Sequence, residues 1–210
     1  MEYYSLINEN VYNTTYGEIA TDKILIKKSE FISYIFNINS NIEAIKYIDE
    51  IRNNNKSARH VVYIYSYLQN GQLKISYNDD GEPQGTGTGS ILKLLETKKL
   101  TNICIVIVRY FGGILLGAGP LSRAYLNSCK DVINSLKLEE IIEYNYLEFE
   151  CTYKQYDLII NLIENYAVKK DIILEDSIFN ENIKVILKIN KNKYSKIVSL
   201  LEKSLDKHLF

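Results

Sequence analysis

Residues 78 to 90 read NDDGEPQGTGTGS, so that Asp79, Asp80 and Glu82 run into the alternating glycines Gly85, Gly87 and Gly89, with Thr86 between the first two. Glycines in such a run let backbone N–H groups approach an anion, most often a phosphate. Carboxylates repel that ligand unless a divalent metal or arginines intervene. The chemistry on offer is therefore a nucleotide loop, a metal loop or a tight turn. Spacing disposes of the familiar forms. A Walker loop requires G-x-x-x-x-G-K-[ST], and no lysine follows these glycines until Lys93. The dinucleotide fingerprint G-x-G-x-x-G needs a glycine where Ser90 stands, and an EF-hand needs acids at alternate positions, whereas Asp79 and Asp80 are adjacent.

The rarer residues cluster around the same stretch. Eight of the ten glycines (81, 85, 87, 89, 112, 113, 117 and 119) and both prolines (83 and 120) fall between residues 81 and 120. Arginine is scarce among the 25 basic residues, yet Arg59, Arg109 and Arg123 lie in or near this window. Its planar fork of donors suits carboxylates and phosphates. Arg59 and His60 precede one strand, Arg109 ends another, and Arg123 sits in the first turn of a helix. With Gly112, Gly113, Gly117 and Gly119, and two helices starting after Gly-rich turns at 89–91 and 119–121, they make a compact cationic pocket for phosphate or carboxylate. Asp79, Asp80 and Glu82, on a loop shaped by Gly81 and Gly85, would orient the arginines, hold a divalent metal beside a phosphate, or both. The plain alternative is that acids and arginines only salt-bridge to fix a loop-rich surface.

Covalent catalysis has little support. The hydroxyls of Thr86, Thr88, Ser90 and Ser122 are available with His60 as the one plausible base, but no G-x-S-x-G elbow exists. Asp79 and Asp80 make a poor hydrolytic pair, because sequence neighbours on an extended backbone point differently. No residue is assigned a catalytic role.

Periodicity supplies the elements that must hold these residues. GEIATDKILIKKSEFISYIFNI (17–38) predicts two strands joined at KKSE, and SNIEAIKYIDEIRNN a helix with Ser40 and Glu43 as a capping box. HVVYIYSYLQNGQLKISYN predicts a hairpin turning at Asn70-Gly71, with Val62, Ile64 and Leu68 on one face and Tyr63, Tyr65 and Tyr67 on the other. That tyrosine row either stacks bases or covers the sheet. Ser90 is the expected cap of SILKLLETKKL, NICIVIVRY is an apolar buried strand, and Pro120 is the expected first residue of the helix PLSRAYLNSCKDVINSLK. Around residues 137–144 the pattern restarts as β-α-β-β-α, the order of a ferredoxin-like module, leaving only DKHLF for a last strand. The expected domains are 1–136 and 141–210.

Composition bounds the function class. The 210 residues are 46% hydrophobic and 24% charged with a net charge of -1, which suits an ordinary globular protein and denies it a whole-molecule basic field. Anion binding must come from a local patch. No apolar run approaches the roughly 20 residues that span a bilayer. MEYYSLINEN lacks the basic and apolar regions of a signal peptide, so a cytoplasmic location without membrane association is expected. Cys104, Cys129 and Cys151 are widely spaced, and with His60 and His208 the only histidines, neither a disulfide framework nor a zinc site is expected.

The segments ARH (58–60), DDGEPQGT (79–86), VIVRYFGGILLGAG (106–119) and RAY (123–125) resemble the YigZ/IMPACT family, and the match covers most of residues 15–135. The resemblance implies an α+β protein. Its N-terminal α/β sandwich would be like the second domain of a small-subunit ribosomal protein, and its ferredoxin-like C-terminal domain like the last domain of elongation factor G. It implies contact with RNA or the ribosome, and eukaryotic relatives act in translational regulation by binding a protein partner. Arg59, His60, Asp79, Asp80, Gly81, Glu82, Arg109, Gly112, Gly113, Gly117, Gly119 and Arg123 occupy the family's characteristic positions. The chain departs from the pattern at Val61, where a second histidine is frequent, at GTGTGS, which lacks a lysine usual there, and at Pro120 in place of glycine. The leading expectation is a non-enzymatic RNA- or ribosome-associated factor with an anion pocket. The rivals are an enzyme on a phosphate- or carboxylate-bearing small molecule, assisted by a divalent metal, and a protein-interaction module using the tyrosine face.

Overall fold

The computed structural model describes residues 3–7, 18–206 and 209, and the chain divides into two compact units, Met1–Ile141 and Ile142–Phe210. Both are mixed α/β and built on antiparallel sheets. In the first unit, β1 (Tyr4–Ile7) pairs with β7 (Lys137–Glu140) in a small sheet of their own. The main sheet is built from β2 (Glu18–Ile26), β3 (Ser29–Asn37), β4 (His60–Gln69), β5 (Gln72–Asn78) and β6 (Ile103–Tyr110), in the order β2-β3-β6-β4-β5. The β2–β3 turn lies at Lys27-Lys28 (φ 46 and 66) and the β4–β5 turn at Asn70-Gly71 (φ 53 and 75). Both have the doubly positive φ of the hairpin turn whose twist matches the strands.

The pleat sends alternate residues to opposite faces. One face carries Phe31, Ile35, Val62, Ile64, Ile103, Ile105 and Ile107, packed against α2 (Gly89–Lys98) and α3 (Ala118–Ser135). The other carries Phe36, Val61, Cys104, Val106 and Val108 under α1 (Asn41–Asn54). Being covered on both faces, β6 is apolar almost throughout. The tyrosine row belongs to the α1 face: Tyr67 is buried, while Tyr63 and Tyr65 are half-buried against the same cluster. Covering the sheet is therefore its role in the fold.

Three helix starts differ from expectation. Ser40 caps α1 through the Glu43 N–H (3.3 Å), but the Glu43 carboxylate reaches back to the N–H of Asn39 (2.7 Å) instead of Ser40. Thr88, not Ser90, is the N-cap of α2, and the Ser90 hydroxyl instead meets Ser122 Oγ at 2.6 Å, tying α2 to α3. Pro120 is the third residue of α3, not the first, which the helix tolerates because its first four N–H groups have no partner within the helix.

The second unit runs β8 (Tyr144–Cys151), α4 (Tyr153–Asn165), β9 (Ile172–Phe179), β10 (Ile183–Asn190) and α5 (Tyr194–Leu205), with sheet order β8-β10-β9. Leu147, Phe149, Val185, Leu187 and Ile189 on the sheet, with Ile159, Ile197 and Leu201 on the helices, fill its core. The closing strand expected at DKHLF lies mostly outside the described residues, as does His208. All three cysteines are free and buried, and burial pushes the Cys129 thiol up to about 12, away from the reactive thiolate. Among the described residues, no helix is long and apolar enough to cross a membrane.

Candidate functional site

The site grows from one end of the five-stranded sheet. Pairing sets His60 opposite Arg109 and Phe31 opposite Arg109, so these three share the face that holds Ile105 and Ile107. An arginine on that face is an electrostatic problem, because Arg109 is only 4% exposed. Glu82 answers it from the loop before α2. Its Oε1 accepts from Arg109 Nη1 at 2.5 Å and from the Tyr125 hydroxyl at 2.7 Å, and lies 3.7 Å from His60 Nε2. Tyr125 comes from α3 with its ring edge-on to Phe31 (5.1 Å, 87°). Burial, followed by the bond to Glu82, pushes its phenol well above the ordinary range, so it remains a neutral donor. The guanidinium carbon lies 5.4 Å from the Phe31 ring centre and 5.6 Å from that of Phe111, and Arg109 Nε is buried without a partner among the described residues.

The other two acids have separate duties. Asp79 accepts four hydrogen bonds: Gly85 N–H to Oδ2 (2.6 Å), and Gly87 N–H (3.0 Å), Thr88 N–H (2.9 Å) and Thr88 Oγ1 (3.0 Å) to Oδ1. A side chain at Gly87 would meet both that carboxylate and Val62 at 2.9 Å, so glycine is required for the approach. Thr86 closes the loop by donating to the Pro83 carbonyl (2.6 Å). Asp80 accepts the Val61 N–H at Oδ2 (2.6 Å) and pairs through Oδ1 with Arg52 Nη2 at 3.1 Å. Its carbonyl lies 2.8 Å from His60 Nδ1, and since a carbonyl only accepts, Nδ1 carries the proton there and Nε2 faces Glu82.

These contacts revise the expected pocket in two respects. Asp79 pairs with no arginine among the described residues; it accepts from the Gly85, Gly87 and Thr88 amides that lead into α2, whereas the α3 start, at Gly117 and Gly119, has neither a side-chain cap nor a first-turn acid among the described residues. Arg109 is matched to Glu82, so cationic character rests on Arg59 and Arg123, both exposed. Among the described residues, no group of three or more His, Cys, Asp or Glu could hold a metal ion. A recess of about 210 Å³ is lined by Arg59, His60, Glu82 and Arg109 on its polar side and by Pro83, Phe111, Leu115, Leu116 and Leu121 on its apolar side. Arg123 lies outside that lining, as do Asp79, Asp80, Gly81 and Gly85.

Two residues of the network escaped the sequence reading. Arg52 was the remaining arginine, and its place in the last turn of α1 was the available signal. Tyr125 closes the RAY segment and lies on the apolar side of α3, but neither motif nor spacing tells that its hydroxyl donates to Glu82.

Gly112 and Gly113 shape the apolar wall. The Gly112 N–H donates to Ser29 Oγ (3.1 Å), and a Cβ there would stand 2.0 Å from the Lys28 carbonyl carbon. Gly112→Ala must push the loop off the β2–β3 turn and is expected to cost roughly 1–3 kcal/mol, read as a lowered urea midpoint. An unchanged midpoint would mean that this contact is dispensable.

Comparison with known proteins agrees with these motifs. The family model described as Impact N-terminal domain matches residues 27–133. An IMPACT family member of Haemophilus influenzae is 35% identical over 181 residues, covering 85% of this chain and 86% of that protein. The family member YvyE of Bacillus subtilis is 32% identical, covering 80% and 76%. A crystal structure of a hypothetical protein matches in fold with a TM-score of 0.59 at 24% identity, over 97% of this chain and 93% of that one. The chain belongs to the IMPACT family.

Proposed function

We propose that this protein is a cytoplasmic RNA- or ribosome-associated factor in translational regulation that binds through its first unit and is not an enzyme. The carrying observation is the recess at the end of the main sheet, lined by an exposed Arg59 and by Arg109, neither the Arg59 guanidinium nor Arg109 Nε having a partner among the described residues, with Leu121 of the uncapped α3 start in the same lining. Translational regulation comes from the family resemblance, in which eukaryotic members act through a protein partner. The family resemblance implies two domains, 1–136 and 141–210, like a ribosomal-protein domain and the last domain of elongation factor G, and that implication supports the reading as fold-level analogy. The commitment of Asp79, Asp80 and the Oε1 oxygen of Glu82 to protein donors argues for binding over metal-assisted catalysis.

The test is single-stranded RNA binding across a salt series. The logarithm of affinity should fall with that of salt concentration by about 0.7 per phosphate contacted, so Arg59→Ala with Arg123→Ala should flatten the slope by about 1.4. These two are chosen because they are exposed, whereas Arg109 holds the fold. A flat salt response in the unaltered protein would defeat the proposal.

A further inference from the structure

We propose that the recess takes one splayed-out nucleobase of a single-stranded RNA, with its phosphate outside at Arg59; this rests on the RNA-binding reading and specifies its ligand. Charge distribution inside the recess decides the class. Glu82 lines it, and Oε1 alone receives the bonds from Arg109 and Tyr125, so Oε2 has no protein donor among the described residues. A phosphate or carboxylate driven inward would meet that carboxylate. A neutral flat group bearing N–H donors on its edge would satisfy it, as an amino or imino group of a base does.

Size and walls agree. At about 210 Å³ the recess is smaller than the roughly 300–1,000 Å³ of pockets that enclose drug-sized ligands, leaving room for a base and not for a whole dinucleotide. Phe111 is 42% exposed while its ring already lies 5.6 Å from the Arg109 guanidinium, so a base beside it would extend a stack that begins in the core. Leu121, buried, and Leu115, exposed, lie on the apolar side. The anion is left to Arg59, whose backbone N–H is fixed to the Arg109 carbonyl (2.9 Å) while its exposed side chain has no partner among the described residues. A base inside and a phosphate outside is an arrangement only unpaired strands can adopt, since duplex bases are not free to leave the stack without cost.

The experiment compares a short single-stranded RNA with its duplex by fluorescence anisotropy, using Phe111→Ala and Arg59→Ala. The single strand should bind at least tenfold tighter than the duplex. Phe111→Ala should weaken it about tenfold with the salt slope unchanged, since stacking is not ionic. Arg59→Ala should flatten the slope by about 0.7. Equal affinity for duplex and single strand, or wild-type binding by Phe111→Ala with the salt slope intact, overturns the base pocket while leaving RNA binding in place. Failure of the unaltered protein to bind either RNA removes both.

Discussion

Arg109→Ala is expected to be the most destabilising single change in the first unit, costing about 3–5 kcal/mol. The cost lies less in the lost ion pair than in what remains. Glu82 has a side chain only 5% exposed and would keep a carboxylate with Tyr125 as its one close donor. Burying a charge without its partner carries the full desolvation penalty, and Phe31 and Phe111 would lose the guanidinium packed near both rings. With an ordinary domain stability of about 5–15 kcal/mol, the urea midpoint should collapse or the variant should fail to fold. Two companions separate charge from shape. Arg109→Lys keeps the charge but not the planar fork, and should recover only part of the loss. Arg109→Met with Glu82→Gln removes both charges and should be more stable than Arg109→Ala, because no carboxylate is stranded. A shift under about 1 kcal/mol in Arg109→Ala would place this pair with solvent-screened surface bridges and refute the buried-network account.

This network also shows what could and could not be read from the chain. Strands, helices and the faces of β4 followed from periodicity, because burial on one face and exposure on the other must be written into every second or every third to fourth residue. Arg109 and Glu82 were recognisable as site residues by type and by motif, but their pairing joins positions 27 apart through a loop whose path depends on Asp79. Helix starts were misplaced where a polar side chain had a competing partner. Ser90 bonds Ser122 and the Thr88 hydroxyl bonds Asp79, so neither gives the simple cap that local sequence suggests. The contribution of the α2 start to an anion site was equally hard to foresee, since an acid of the chain accepts from the Gly85, Gly87 and Thr88 amides that lead into it.

That acid carries the second large effect. Asp79→Ala is expected to cost about 3 kcal/mol, since hydrogen bonds to a charged acceptor are each worth about 1.5–3 kcal/mol and the loss from one carboxylate is less than their sum. The carboxylate gathers Gly85, Gly87 and Thr88 around one side chain, and it does so at the start of α2, where a negative charge also answers the helix dipole. Asp79→Asn is the sharper probe. Its carbonyl can still serve Gly87 and Thr88, but the amide NH2 then faces the Gly85 N–H, donor against donor, and the charge is gone. About half the destabilisation of Asp79→Ala should remain. Amide hydrogen exchange localises the effect: Gly85, Gly87 and Thr88 should lose protection in both variants, while β2, at the opposite edge of the sheet from β5, should change only with global stability. Unaltered exchange at those three amides would show that the loop holds its shape without Asp79, and the glycines would again be free to receive an external anion. With Asp79 in place the Gly85, Gly87 and Thr88 amides have an internal acceptor, which is how a run of alternating glycines beside three acids is held in one shape.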